Sequence, residues 1–139
     1  MISLEKKMFF LPNKYFVRGN TLFIAFNLSA IPRDMSVVSM ALHVQLPRLQ
    51  TPTLVTAREI VSTWNIRSMK KGATPLRSKK IFVQTKHAAN RPEWTVNVTP
   101  FHRKWRSPSK GNHGLHITFK NRNLTYLVKH PPYLVLDTI

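Results

Sequence analysis

Trp94-Thr-Val-Asn-Val-Thr-Pro-Phe-His-Arg-Lys-Trp105 changes its period halfway along. Trp94, Val96 and Val98 alternate with Thr95, Asn97 and Thr99, the two-residue period of a strand with one face against a core. Thr99 is then a natural N-cap and Pro100 a natural first helical residue. In the short helix expected near residues 100–106, Phe101 and Trp105 stand four apart and share a face. Two aromatics can pin such a helix to a sheet while His102, Arg103, Lys104 and Arg106 stay in water. The stretch therefore sets an expectation for the whole chain, β-structure with a helix as a plug rather than as a layer.

Working outward, Thr21 to Leu28 alternates, with Leu22, Ile24, Phe26 and Leu28 on one face and Thr21, Phe23, Ala25 and Asn27 on the other, until Pro32-Arg-Asp34 breaks it. Ser39 to Leu46 places Met40, Leu42, Val44 and Leu46 inward and stops at Pro47. Thr53 to Ser62 is rich in β-branched residues but less regular, and a fourth run, Lys79 to Lys86, is short. Gly114 to Lys120 turns Leu115, Ile117 and Phe119 inward, and Tyr133 to Thr138 is the last run. Between them, Asn65 to Lys80 has few apolar residues and reads as an exposed basic loop. The spacing predicts an all-β fold, an antiparallel, jelly-roll-like sandwich, with residues 1–19 as an N-terminal extension and 20–139 as the sandwich domain.

A chain of 139 residues, 42% hydrophobic, suits one domain with a real core. It contains no cysteine, which excludes a disulfide framework, a thiol nucleophile and a zinc–thiolate site. The carboxylates Glu5, Asp34, Glu59, Glu93 and Asp137 are scattered, and no pair has a spacing that forces it together for acid–base work. His113 and His116, three apart in a strand, would point to opposite faces rather than to a shared metal. No phosphate-loop or dinucleotide fingerprint is present, so the expectation is a protein without enzymatic activity, metal or cofactor. The N-terminus has only a short apolar run and no small-residue cleavage signature, and no segment approaches the roughly 20 apolar residues of a membrane span.

The formal charge of +17, from 22 Lys and Arg against five carboxylates, points to polyanionic partners. Arg67, Lys70, Lys71, Arg77, Lys79 and Lys80 would form one footprint with Arg103, Lys104, Arg106 and Lys110 if the basic loop packs beside the helix. Such a footprint suits a heparan-like glycan or nucleic acid, and its binding would weaken as salt rises. Sequons occur at Asn27, Asn97 and Asn123; Pro100 directly after the second disfavours it, which leaves Asn27 and Asn123 as the expected glycosylation sites.

Two patches carry a family resemblance. Phe26-Asn-Leu-Ser-Ala-Ile-Pro32 resembles the strand-to-turn segment of the propeptide of TGF-β superfamily growth factors, above all the bone morphogenetic protein branch. Trp94 to Pro100, Trp105 and Asn112-His-Gly-Leu115 resemble that propeptide's Trp-x-x-Phe-Asp-Val-Thr-Pro string, tryptophan-ended helix and Asn-His/Tyr-Gly-Leu strand. Both occur in the family's order, and Pro132-Tyr-Leu-Val-Leu136 looks like its closing strand. The resemblance implies the arm-domain portion of a prodomain, with Phe26, Ile31, Trp94, Phe101, Trp105 and Leu115 in its core. It further implies a secreted, extracellular glycoprotein of growth factor signalling, whose partner is a TGF-β-type growth factor domain and whose dimerisation runs through that domain. Its tasks would be to assist folding, associate with the growth factor or tether it to matrix. A bacterial DNRLRE-type extracellular module, linked to anionic polysaccharide, shares a similar turn and helix, and a basic ribonucleoprotein component would explain the charge alone.

Overall fold

In the computed structural model, which describes residues 5–48, 50–107 and 111–139, nine strands form two antiparallel sheets. Sheet A has the order β1-β9-β4-β7, from β1 (Lys6–Phe10), β9 (Tyr133–Thr138), β4 (Val37–Gln45) and β7 (Glu93–Asn97). Sheet B has the order β2-β3-β8-β5-β6, from β2 (Lys14–Arg18), β3 (Thr21–Ala25), β8 (Leu115–Phe119), β5 (Thr53–Ile60) and β6 (Arg77–His87). Three short helices complete the fold, α1 (Ile66–Lys70), α2 (His102–Arg106) and α3 (Tyr126–Lys129). The fold is an all-β sandwich, and among the described residues no helix is long and apolar enough to cross a membrane.

The alternating residues meet between the sheets. Leu42, Val44, Leu134 and Leu136 of sheet A pack against Leu22, Ile24, Val55, Leu115 and Ile117 of sheet B in one buried cluster. Phe26, Ile31, Trp94, Trp105 and Leu115 are buried, and Phe101 is half-buried against the same cluster. Pro108 and Lys110 lie outside the described residues.

Three segments differ from the sequence reading. The stretch 1–19, expected to be an extension, supplies β1, paired with β9, and β2, paired with β3. Alternation fails in β2 because all five residues are half-buried: one face looks into the sandwich and the other lies under α1. The expected loop 65–80 contains α1 and the start of β6. Asn65 caps α1, its Oδ1 accepting from the Ser68 amide at 2.8 Å. Trp64 and Met69 then cover Phe23, Ala25 and Ile60 on the outer face of sheet B, a second small core. Finally, α3 fills what read as a bare connection, burying Leu127 beside Leu124 and offering the Leu127 and Val128 carbonyls to the Tyr15 hydroxyl, each at 3.0 Å.

Candidate functional site

The residues that carry the family resemblance, some eighty positions apart in the chain, touch one another. Phe26 stacks on Trp105 at 5.6 Å, the Leu28 amide donates to the Trp105 carbonyl at 2.9 Å, and Asn112 Nδ2 donates to the Phe26 carbonyl at 2.6 Å. Gly114 passes directly over the Ile24 backbone, and Leu115 pairs with Ile24 in the sheet. Helix α2 follows a 3₁₀ turn, Thr99–Phe101, so the helical path starts at Thr99 itself. The Thr99 side chain turns back to Asn97 Oδ1 at 2.6 Å and to the Met40 amide at 2.9 Å rather than capping forward.

The ladder of rings continues outward. Phe101 stacks on Trp105 at 5.4 Å, and Phe82 meets Phe101 edge-on at 4.7 Å. Phe82 is the extra residue of a β-bulge: Ala57 pairs with Val83 and Arg58 with Ile81, leaving Phe82 unpaired. Around its ring, Asn97, Thr99, Pro100, His102 and Arg103 line a cavity of about 650 Å³, and an adjoining one of about 320 Å³ brings in Lys80. Burial, with repulsion from Arg103 and Arg106, lowers the His102 pKa.

Of the ten cations expected to form one footprint, Lys110 lies outside the described residues, and Lys80 and Arg103 line this groove. Lys104 is held at 2.6 Å by Glu59, and Arg106 donates to the Pro32 carbonyl at 2.8 Å. Arg77 stands close enough to His116 to depress its pKa. Lys79 is exposed on β6, its carbonyl receiving Arg58 Nη1 at 2.5 Å. Arg67, Lys70 and Lys71 are exposed on α1 and its C-terminal cap, over sheet B. Asn27 and Asn123 are exposed, each folding its Oδ1 back onto the backbone amide two residues on, at 3.0 and 2.8 Å.

Sheet A offers a different surface. The adjacent strands β9, β4 and β7 contain no Lys or Arg at all. On their outer face His43 Nδ1 meets Glu93 Oε1 at 2.6 Å, and the Tyr133 hydroxyl donates to Glu93 Oε2 at 3.1 Å, with the His43 and Tyr133 rings stacked at 4.9 Å. Burial pushes Glu93 up, but hydrogen bonds from His43, Tyr133 and Thr95 outweigh it and hold the carboxyl below its ordinary value. This cluster escaped the sequence reading because its members lie 40 and 50 residues apart in the chain; only their shared outward parity could have signalled it. Among the described residues, no three of His, Asp and Glu converge as a metal ion requires.

His116 is buried on the outer side of sheet B, edge-on to Phe23 at 5.1 Å, and burial with Arg77 and Arg58 lowers its pKa from 6.5 to about 4. The folded protein keeps His116 neutral while the unfolded chain takes up a proton, so stability falls as pH drops from about 6.5 to about 4 and levels off below. At about 1.4 kcal/mol per pKa unit the loss is about 3 kcal/mol. Urea midpoints at the two ends of this window should differ in the wild type and much less in His116→Phe; equal slopes in both would remove His116 as the cause.

No protein-family model matches the chain, and no curated protein matches it in sequence.

Proposed function

We propose that this chain is a non-enzymatic, prodomain-like module of a TGF-β-type growth factor precursor, acting outside the cell to assist folding of the growth factor, associate with it or tether it. The observation that supports the reading most is the contact between the two resembling patches: Phe26 on Trp105, and Asn112 on the Phe26 carbonyl. Motif residues that lock one helix to one strand explain why such strings would travel together. The strands β9, β4 and β7, which contain no Lys or Arg, provide a face on which a partner protein can dock away from the densest positive charge.

Association is tested with a panel of mature TGF-β-family dimers immobilised at known density. Binding by at least one member at micromolar concentration is the expected result. Thr95→Arg, which places a cation on exposed β7, should weaken it about tenfold or more, while Lys70→Ala on α1 leaves it unchanged. No binding to any member of the panel would overturn the reading.

A further inference from the structure

We propose that the seam between β6 and β7 is a binding groove for a linear sulfated polysaccharide. These two are edge strands, β6 of sheet B and β7 of sheet A, so the seam is an open flank of the sandwich. Its floor is preorganised. Phe82 is turned out of register by the bulge and is backed by Phe101, then Trp105, then Phe26, a run of rings that ends in the core. Pro100 lies beside it, and the pair gives an apolar surface of the kind on which the C–H face of a sugar ring rests.

Cations stand where sulfates would fall. Lys80 and Arg103 flank the Phe82–Pro100 floor. Further along the seam, past the hydrogen bond from Trp94 Nε1 to Thr85 Oγ1 at 2.9 Å, Lys86 and Arg91 line a cavity of about 430 Å³. Six residues of strand separate Lys80 from Lys86, roughly 20 Å, so the two cation pairs suit an extended chain rather than one small anion. The carboxylates along this path are already engaged, Glu59 with Lys104 and Glu93 with His43 and Tyr133. Lysines on an edge strand also guard it against pairing with another sheet. That role explains Lys79 and Lys80 but not Arg103 on α2 or Arg91 beyond the strand end.

Nucleic acid is the weaker fit. A single strand stacks successive bases on exposed aromatic platforms, yet along the seam Trp94 and Trp105 are buried and Phe82 is half-buried, while the exposed Phe9 and Tyr126 lie on β1 and α3, by the opposite edges of the two sheets. A helix that enters a duplex groove must project from the fold, and α1 and α2 are five residues each, with Met69 and Trp105 anchored inward. This inference stands apart from the growth-factor reading, since a chain that binds no growth factor could still hold a glycan here.

The experiment titrates a heparin octasaccharide into the protein by calorimetry at near-physiological salt, about 0.15 M. Lys80→Glu with Arg103→Glu is compared with Lys70→Glu and Lys71→Glu, which change the net charge equally on exposed positions of α1 or its cap. The seam pair should weaken binding about tenfold or more and the α1 pair about threefold or less, with melting temperatures unchanged. Equal losses would mean diffuse charge and overturn the groove. Tighter binding of a single-stranded oligonucleotide of matched charge, lost in the seam variant, would overturn the ligand class.

Discussion

Gly114→Ala is expected to abolish the native fold or leave it barely populated. The residue sits at φ +89°, and a Cβ there would lie 2.0 Å from the Ile24 carbonyl oxygen and 2.9 Å from the Ala25 Cα. Both obstacles are backbone of β3, and Ile24 is itself paired with Leu115, so relief requires parting β3 from β8 in the middle of sheet B. Strain at the positive φ adds about 1–3 kcal/mol, and a domain of this kind has only about 5–15 kcal/mol in total. Gly72→Ala supplies the control: φ is +95° but nothing lies within 4 Å, so only the conformational penalty applies. Soluble yield and urea midpoint read the contrast. Equal midpoints for the two variants would mean that the turn before β8 does not press on β3.

The second large effect is Trp105→Ala, expected to cost about 3–5 kcal/mol. Trp105 is fully buried, stacked between Phe26 and Phe101, and it is the one buried residue of α2. A five-residue helix has no stability of its own in water, so its position depends on this anchor and on the Leu28 amide bonded to the Trp105 carbonyl. Phe26→Leu combined with Trp105→Ala should cost less than the sum of the two, because each removes the same stacking contact, worth about 0.5–1.5 kcal/mol. A melting temperature unmoved by Trp105→Ala would show that α2 does not dock between the sheets.

Strands that alternate were legible, because one face of each meets the core and the other meets water. Thr21 to Leu28, Ser39 to Leu46, Trp94 to Val98 and Gly114 to Lys120 all contain observed strands or run closely along them. Where both faces are covered the signal disappears. Parity places Phe23 outward, which is correct, yet it is buried, because Trp64 and Met69 close over it from a segment whose composition reads as loop. Irregular register was equally invisible. Nothing in Ile81-Phe-Val83 announces a bulge, and without the bulge Phe82 has no reason to leave the ladder and face the seam. The basic residues were legible as a count but not as a place: pairing with Glu59 and the Pro32 carbonyl withdraws Lys104 and Arg106 from a footprint that spacing alone would have granted them.

Three of the five strands of sheet B carry cations: Lys14 and Arg18 on β2, Arg58 on β5, and Arg77, Lys79, Lys80 and Lys86 on β6. In sheet A only the edge strand β1 holds any. The molecule consequently has an electric moment running from one broad face to the other. Near a polyanionic layer that moment acts as a compass, turning sheet B toward the layer before any contact is made. Molecules captured this way would share one orientation, with His43, Tyr133 and Glu93 presented to the medium like the upper faces of tiles laid on a floor, and no hinge or linker would be needed to set it.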